Sequence, residues 1–342
     1  MIKRFIVSRD DSIYEAFPDV ALTPSGKLVC VFAECKHHSD RSYTRMVYVT
    51  STDRGRTWSA KRPLTEATHG ESFYDCPRIT QLRDGRLAAL VDFHLCHGEP
   101  ESTQNFLLFS EDEGDTWSEP VLTDARGNVP DKLLELKSGR WLIACQMQDE
   151  KTGNLLQRLW YSDDAGASWT GPVVVARRKG LHLCEASLVP VRDCLVAFMR
   201  ENSHQGWDCY KTISRDAGET WSEPIHFPLP GCHRPVAGHL ADGQVLITHR
   251  YCQGGKGWLG HWTQNFFAAV TDDASALAET RDDAWTRILP IDFDRSPESD
   301  LGYSGWVQFD DGEIYIVNYI VDDAPNGHIR GYSLRMADFL LT

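Results

Sequence analysis

Four octapeptides of one pattern recur along the chain: Ser51-Thr-Asp-Arg-Gly-Arg-Thr-Trp58, Ser110-Glu-Asp-Glu-Gly-Asp-Thr-Trp117, Ser162-Asp-Asp-Ala-Gly-Ala-Ser-Trp169 and Ser214-Arg-Asp-Ala-Gly-Glu-Thr-Trp221. The shared pattern, S-x-D-x-G-x-[TS]-W, places its aspartates 59, 52 and 52 residues apart. Such a period is typical of chains built from repeated structural units. A degenerate fifth copy is expected at Thr271-Asp-Asp-Ala, with Trp285 late in its turn.

Each octapeptide is interpreted as a hairpin turn. The aspartate accepts backbone N–H groups across the loop, the glycine adopts a positive φ, and the tryptophan packs beneath the turn. These properties predict structural turns rather than a functional site.

A second recurrence lies between the octapeptides, where alternating apolar residues are interrupted by a tight turn. The six copies are VALTPSGKLVCVF (20–32), RITQLRDGRLAALV (78–91), LLELKSGRWLIAC (133–145), SLVPVRDCLVAFM (187–199), VAGHLADGQVLIT (236–248) and WVQFDDGEIYIVN (306–318). Each copy predicts two short strands, and no segment shows a sustained helical period. We therefore expect an all-β fold, a six-bladed β-propeller of four-stranded antiparallel blades, in a single domain spanning 1–342.

The last blade needs a fourth strand from elsewhere. After the hairpin at 306–318 the chain supplies one more strand-like segment, Ile329–Leu334, before it ends. The strand-like segment Ile2–Ser8 precedes the first hairpin and is expected to pair into this blade, which closes the ring and leaves no open edge.

Composition excludes several classes of protein. The 342 residues are 42% hydrophobic and 25% charged, which is ordinary for a globular chain and excludes disordered and fibrous classes. Lys and Arg number 35 against 49 Asp and Glu, a net charge of −14, which argues against nucleic acid or an anionic membrane as the partner. No run of 18 apolar residues occurs, so no membrane-spanning helix is expected. Nothing indicates an oligomeric state.

The N-terminus and the cysteines bear on the cellular compartment. Only Phe5 to Val7 form an apolar run near the start, too short for a secretory signal, so a cytoplasmic location is expected. The ten cysteines, Cys96 among them, are scattered and form no C-x-x-C pair. They are expected to be free and mostly buried thiols.

Octapeptides of this pattern at blade spacing, with hairpins between them, resemble the Asp boxes (BNR repeats) of the sialidase (neuraminidase) superfamily across nearly the whole chain. The resemblance implies a carbohydrate substrate, no cofactor, three arginines that hold the substrate carboxylate, a tyrosine nucleophile with a glutamate partner, and an aspartate acid/base. A planar carboxylate suits guanidinium groups, and the phenol nucleophile is a known exception to the use of two carboxylates.

Four positions agree with the family plan in order and in blade. Glu185, in Cys184-Glu-Ala-Ser-Leu-Val, is similar to the family's Glu-Pro-Ser segment, and Tyr303, in Gly302-Tyr303-Ser304, resembles the segment with the nucleophile. Arg200 and Arg250 end the second strands of two successive hairpins at the same register. The resemblance also implies Asp40, in the loop after the first hairpin, as the acid.

The first arginine of the family is missing. The first blade reads Ala16-Phe-Pro-Asp-Val20, where Asp19 takes roughly that place. An Arg-Ile pair occurs one blade later, so Arg78 is expected as the third carboxylate ligand, with Arg41 or Arg45 as alternatives.

Three more side chains are expected to face the substrate. His37 and His38 lie beside Asp40, where they could bind hydroxyl groups or act as acid/base, and Asp75 is expected near the axis. Adjacent side chains of an extended segment point to opposite sides, so no metal site is expected at this histidine pair.

Three functions remain open at this point. The favoured one is a sialidase-like exo-glycosidase that hydrolyses a terminal acidic sugar with Tyr303, Glu185 and Asp40. The alternatives are a propeller lyase or glycosidase acting on uronic-acid glycans, which the missing arginine and the histidine pair favour, and a non-catalytic glycan-binding propeller.

Overall fold

The computed structural model of the protein describes residues 2–95, 102–205, 207–253 and 263–340. Six antiparallel sheets form the blades of a β-propeller. In chain order the strands are β1 (Lys3–Ser8), β2 (Tyr14–Leu22), β3 (Leu28–His37), β4 (Asp40–Ser51), β5 (Arg62–Pro63), β6 (Thr68–His69), β7 (Phe73–Gln81), β8 (Leu87–His94), β9 (Gln104–Ser110), β10 (Val121–Arg126), β11 (Leu134–Glu135), β12 (Trp141–Gln148) and β13 (Leu155–Ser162). The second half comprises β14 (Thr170–Ala176), β15 (Leu183–Val191), β16 (Cys194–Glu201), β17 (Asp208–Ser214), β18 (Ile225–Pro230), β19 (Cys232–His239), β20 (Val245–Gln253), β21 (Thr263–Thr271), β22 (Arg287–Phe293), β23 (Leu301–Gln308), β24 (Ile314–Ile320) and β25 (His328–Leu334).

The strand order confirms the expected propeller and its closure. Five blades take four consecutive strands, and the first also carries the short β6 beside β4. The sixth blade has the order β1-β25-β24-β23, with Lys3 opposite Ser333 and Ile6 opposite Arg330. The N-terminal strand therefore completes the last blade, so that the ring closes through hydrogen bonds between the two ends of the chain.

The four octapeptides form the predicted turns. In the first, Asp53 Oδ1 accepts from the backbone N–H groups of Arg56 (3.0 Å) and Thr57 (2.9 Å), and the Trp58 indole donates to the Gly55 carbonyl (3.1 Å). Asp112, Asp164 and Asp216 accept from the equivalent N–H four residues on, each at 2.8 Å. These bonds are all local, which explains why the motif could be interpreted from the sequence.

The expected fifth copy is wrong. Asp272 caps a one-turn helix, α1 (Asp273–Ala276), by accepting from Ser275 N at 2.8 Å. Trp285 stays 43% exposed and its carbonyl accepts from Ser275 Oγ. The segment lacks the glycine that the turn requires, so the chain forms a capped helical turn instead.

Gly55 sits where the first turn meets the sixth blade, and its replacement should test that contact. Its φ is +78°, a Cβ there would overlap the Tyr315 ring, and the Tyr315 hydroxyl donates to its carbonyl at 2.8 Å. Gly26 has a similar φ of +85° but open space around it. We expect Gly55→Ala to lower the free energy of unfolding by about 1–3 kcal/mol more than the matched Gly26→Ala. Chemical denaturation measures both, and equal losses would contradict the overlap.

A bulge recurs where the innermost strands begin. The register shifts by one residue in β2, β7, β15, β19 and β23. The residue there, or at the equivalent place before β11, has a positive φ between 39° and 59°: Phe17, Cys76, Val129, Glu185, Arg234 and Gly302. Bulges aim side chains out of the regular ladder and are frequent at active sites. Because all six residues lie where the innermost strand of a blade begins, they lie on one face of the propeller, near its axis.

Lys211 is buried on β17 without an acidic partner among the described residues. Its ammonium donates to the carbonyls of Ser275 (2.9 Å) and Ala276 (2.7 Å) at the end of α1. Burial lowers its pKa from 10.5 to about 8. Removal from water penalises the charged form, and these two carbonyls compensate only in part.

The pH dependence of stability should reveal Lys211. Between pH 8 and 10.5 the unfolded chain holds a proton on this side chain that the folded chain has lost, so stability rises with pH. We expect wild type to gain on the order of 3 kcal/mol over Lys211→Met across this window. Urea titrations at several pH values measure the difference, which cancels the effects of other groups. A difference that does not change with pH would contradict the shift.

The cysteines follow the expectation where they are described. Nine are free, and eight of these are buried, with Cys194 half-buried. Cys96 lies outside the described residues. Among the helices of the described segments, none has the length and apolar character needed to cross a bilayer.

Candidate active site

Glu185, Tyr303 and Arg200 meet on the face marked by the bulges. The Tyr303 hydroxyl donates to Glu185 Oε1 at 2.7 Å, and Arg200 Nη1 donates to the same oxygen at 2.8 Å. Glu185 is the bulge residue of β15, and Tyr303 follows the bulge of β23. Arg200 joins them because its neighbour across the ladder is Cys184. The structure thus brings together three residues that were selected from the sequence.

The charges at this site set opposite protonation states on the pair. Burial raises the pKa of Glu185, but the charges of Arg200, Arg250 and Arg234 outweigh burial and bring it below its ordinary value. Burial and the adjacent Glu185 carboxylate raise the pKa of Tyr303 well above 10. The pair therefore rests as a carboxylate beside a neutral phenol, so the phenol can release its proton to a base already in contact with it.

Two more arginines border the pair. Arg250 donates from Nη1 to the Leu301 carbonyl at 3.1 Å, and its buried Nε has no partner among the described residues. The Arg234 guanidinium carbon lies 4.9 Å from the centroid of the Tyr303 ring, and Arg234 donates to the Pro130 carbonyl at 2.7 Å. Arg200 Nε is also buried without a described partner. Unpaired buried N–H groups on Arg200 and Arg250 leave donors available to an anion.

Arg41 reaches the site from β4. Its guanidinium carbon lies 4.9 Å from the centroid of the Phe17 ring, and the Phe17 ring lies 5.0 Å from that of Tyr303. Arg41 Nη2 is 3.3 Å from Asp75 Oδ1, while its buried Nη1 has no partner in the described part of the chain. Of the two alternatives named for the missing arginine, Arg41 is the one that contacts Phe17, whose ring contacts Tyr303.

Arg78 and Asp19 occupy a different place from the one expected. Both side chains are fully buried, with Arg78 Nε 3.4 Å from Asp19 Oδ2, and Lys132 lies 2.9 Å from the other oxygen of Asp19. Arg78 also donates to the carbonyls of Ser304 and Pro18. The Arg78 guanidinium is engaged inside the ring, since its position two residues past the bulge returns it to the packed interior.

The hairpin between β3 and β4 carries Asp40 and His37 at its exposed tip. Asp40 Oδ1 accepts from Ser42 N at 3.0 Å, and hydrogen bonds from Ser42 hold the pKa of Asp40 below its usual value. His37 Nδ1 pairs with Ser39 Oγ at 2.9 Å. Asp40 is engaged within the tip and His37 also meets the Tyr14 ring edge-on at 5.2 Å between centroids, whereas the tip's third candidate, His38, extends to another blade.

His38 joins the first hairpin to the sixth blade. Its Nδ1 lies 2.6 Å from Asp300 Oδ2, and its ring meets Phe17 edge-on with centroids 5.3 Å apart. Asp300 also accepts from the hydroxyls of Tyr14 and Tyr319, the latter at 2.8 Å. Asp300 was not selected from the sequence, because the bond spans 262 positions.

Arg234 and Phe17 were also missed, although the sequence carried a signal for them. An X-Pro pair follows the start of the inner strand in four blades, at 17–18, 76–77, 129–130 and 234–235. Proline lacks an N–H group and therefore marks breaks in a strand ladder. Aligning these pairs with Glu185 would have identified the bulge residues as a set.

One group could hold a metal by its ligand types. His204, His233 and Cys252 place ligand atoms within 4.8 Å of one another. Burial, Arg200 and Arg250 lower the pKa of His204 to about 4, so its imidazole is neutral. The same guanidinium charges would oppose a divalent cation. These residues fit better as uncharged neighbours of Arg200 and Arg250 than as metal ligands.

Comparison with known protein families identifies the repeat. The family model described as "BNR repeat-like domain" matches residues 74–316. A sialidase of Bacteroides fragilis (strain YCH46) is 27% identical over 201 residues, which cover 55% of this chain and 35% of the relative. Sialidase-2 of Cricetulus griseus is 33% identical over 85 residues, 22% of each chain. The matched segments thus span about a third or less of these curated relatives.

Solved structures share the fold over almost the whole chain. A protein of unknown function from Dyadobacter fermentans DSM 18053 superimposes with a TM-score of 0.78 at 22% identity, over 98% of this chain and 99% of that one. Hadza microbial sialidase Hz136 superimposes with a TM-score of 0.72 at 19% identity, over 96% of this chain and 66% of that chain. Trypanosoma rangeli sialidase in complex with sialic acid superimposes with a TM-score of 0.69 at 16% identity, over 98% of this chain and 59% of that chain. At these identities the likeness establishes the fold alone.

Proposed function

From the premise that this chain belongs to the BNR-repeat proteins of the sialidase superfamily, we propose that it is an exo-glycosidase that hydrolyses a terminal acidic sugar of the sialic-acid type from a glycan. The observation that carries this proposal is the contact of Tyr303 with Glu185, at 2.7 Å, inside a cluster of arginines. That arrangement offers a nucleophile, its base and a binding place for an anion within one site.

The arginines suit the carboxylate of such a sugar. The buried Nε atoms of Arg200 and Arg250 and Nη1 of Arg41 have no partner among the described residues. A planar carboxylate accepts paired N–H donors from guanidinium groups, and such charged hydrogen bonds are among the strongest in proteins. A neutral sugar would offer these N–H groups no charged acceptor, so the site favours an acidic one.

Carboxylate binding would also activate the nucleophile. In the free protein the charges of Arg200 and Arg250 lower the pKa of Glu185 and weaken it as a base. A substrate carboxylate neutralises part of that charge, so Glu185 becomes more basic when an acidic sugar is bound. Tyr303 then transfers its proton to Glu185 as its oxygen bonds to the anomeric carbon. Specificity for acidic sugars therefore appears in turnover as well as in binding.

The remaining steps follow from retaining hydrolysis. The bond from the anomeric carbon to the leaving oxygen breaks as the bond to Tyr303 forms, and an acid protonates that oxygen. Water then attacks the same carbon, and Glu185 returns its proton to the tyrosine oxygen. The free sugar and the shortened glycan are the products.

A screen of terminal acidic glycosides tests this proposal. The substrates are α-sialosides, a uronic-acid glycoside and their neutral counterparts, and release of the free sugar is measured by chromatography. We expect turnover of acidic substrates alone, abolished in Glu185→Gln. Turnover of neutral glycosides at an equal rate, or none with any acidic glycoside, would overturn the proposal.

A lyase acting on uronic-acid glycans is the second candidate. The contact of His38 with Asp300 favours it, because an imidazole held by a carboxylate could remove the proton next to a uronate carboxyl group. A lyase forms a product with a carbon–carbon double bond, whereas hydrolysis does not. Ultraviolet absorbance recorded during the same screen separates the two reactions.

A further inference from the structure

We infer that His38, oriented by Asp300, is the group that protonates the leaving oxygen. The inference rests on the hydrolysis proposed above, and it names a proton donor different from Asp40, the acid that the family resemblance implies. It assigns Asp300 as a positioning residue, which acts only through His38.

His38 is placed at the edge of the site. Its ring meets Phe17 edge-on at 5.3 Å between centroids, and Phe17 lies 5.0 Å from the Tyr303 ring. The His38 side chain is 43% exposed, and its Nε2 makes no hydrogen bond to any residue that the structure describes. A sugar seated on Tyr303 and extending toward solvent would present its leaving oxygen on this side.

Asp300 determines which nitrogen of His38 carries the proton. Asp300 accepts from two phenol hydroxyls as well as from His38. Burial alone would raise its pKa, but the bonds from His38 and Tyr14 and the charge of Arg250 lower it to about 2. An ionised carboxylate only accepts hydrogen bonds, so Nδ1 of His38 must be the donor. Nε2 is then left to give and take the catalytic proton.

The nearby carboxylates are less suited to this role. Asp40 is exposed at the hairpin tip, and hydrogen bonds from Ser42 hold its pKa below the usual value, which keeps it ionised. Asp75 lies 3.3 Å from Arg41, and Glu185 already serves Tyr303. A carboxylate that is ionised at neutral pH has no proton to donate, whereas an imidazolium does.

The proton count closes over the two steps. In the first, the His38 imidazolium, which is protonated on both nitrogens, gives its Nε2 proton to the leaving oxygen as the glycosidic bond breaks and the bond to Tyr303 forms. This leaves a neutral imidazole with its proton on Nδ1. In the second, neutral His38 takes a proton from water as the water oxygen bonds to the anomeric carbon. The protonation state of His38 is then restored, and Glu185 returns the phenol proton to Tyr303.

Leaving groups of different acidity test the assignment. In one acidic glycoside the leaving group is a second sugar, which departs through a hydroxyl oxygen. In the other it is 4-nitrophenol, which departs without protonation. We expect His38→Gln to lower kcat/KM by about 10²–10⁴-fold on the sugar-linked substrate and by under about tenfold on the aryl one. Asp300→Asn should show the same selectivity to a smaller extent. Asp40→Asn, on the same hairpin, tests the competing acid, and it should show no loss that is selective for the sugar-linked substrate.

The outcomes distinguish the role of His38 from the proposed hydrolysis itself. Equal losses on both substrates in His38→Gln, no loss on either, or selective loss in Asp40→Asn would overturn the assignment while hydrolysis stands. A wild-type protein that cleaves neither substrate overturns the proposed function, and the assignment with it. Nitrogen-15 NMR of the neutral imidazole of His38 supplies a readout without substrate. Its single proton is expected on Nδ1 in wild type but not in Asp300→Asn, and a neutral wild-type imidazole that carries its proton on Nε2 would overturn the positioning role.

Discussion

Tyr303→Phe should lose turnover by on the order of 10³-fold or more while it still binds the acidic sugar. The substitution removes only the hydroxyl that contacts Glu185 at 2.7 Å. The phenylalanine ring keeps the contacts with Phe17 and Arg234, so the packing around this position is preserved. Initial rates with an aryl acidic glycoside measure the loss, and calorimetry with the free sugar measures binding.

Tyr315→Phe is the matched control for this loss. Tyr315 is also a buried tyrosine, but its hydroxyl donates to the carbonyl of Gly55 in the first octapeptide turn. We expect Tyr315→Phe to lower stability by about 1 kcal/mol and leave turnover unchanged. Full turnover in Tyr303→Phe would remove the nucleophile from the proposal. A fall in both variants would point to a change of fold instead.

Arg250→Ala should show the second large effect, a fall of about 10²-fold or more in kcat/KM on acidic glycosides. Truncating one partner of a desolvated charge pair costs about 2–5 kcal/mol. Arg250 is fixed by the Leu301 carbonyl beside Tyr303, and its buried Nε has no partner among the described residues. Its charge lowers the pKa of Glu185 in the free protein, so its removal leaves Glu185 a stronger base, and the loss should appear mainly in KM.

A substrate without charge isolates the role of Arg250. The same glycoside, with its carboxylate converted to an amide, cannot pair with a guanidinium in the same way, so wild type and Arg250→Ala should turn it over at nearly equal rates. Arg250→Lys keeps the charge but not the planar pair of donors, and an intermediate loss is expected. Arg215→Ala, at a 63% exposed side chain on the rim, is the neutral control. An equal penalty on the amide and the acid would contradict carboxylate recognition.

The Asp-box turns illustrate why the fold could be predicted so fully. The hydrogen bonds of Asp53 lie within four residues of it, and the hairpins show the two-residue period of a half-buried strand. The closing strand followed from counting, because the last blade lacked one member. The segment expected to form a fifth turn has the aspartate and the tryptophan of the motif but not its glycine. There Asp272 caps a helical turn instead.

Four candidate site residues could be placed together from the sequence, because the repeat gives equivalent positions in successive blades. Arg200 and Arg250 end equivalent strands, and Glu185 and Tyr303 lie at or next to equivalent bulges. The sequence could therefore place them on one face. Their meeting still required the ring to close, since Glu185 and Tyr303 are 118 positions apart.

The sequence by itself determined the blades, their number, the closure and the positions that face the axis, because all of these depend on local hydrogen bonds and on a repeated period. Only the tertiary structure decided which side chains are open to a ligand. It enclosed Arg78 with Asp19, brought Arg41 beside Phe17 and joined His38 to Asp300 in the neighbouring sixth blade. The physical reason is that burial and ion pairing depend on neighbours from other blades, and those neighbours follow no period in the chain.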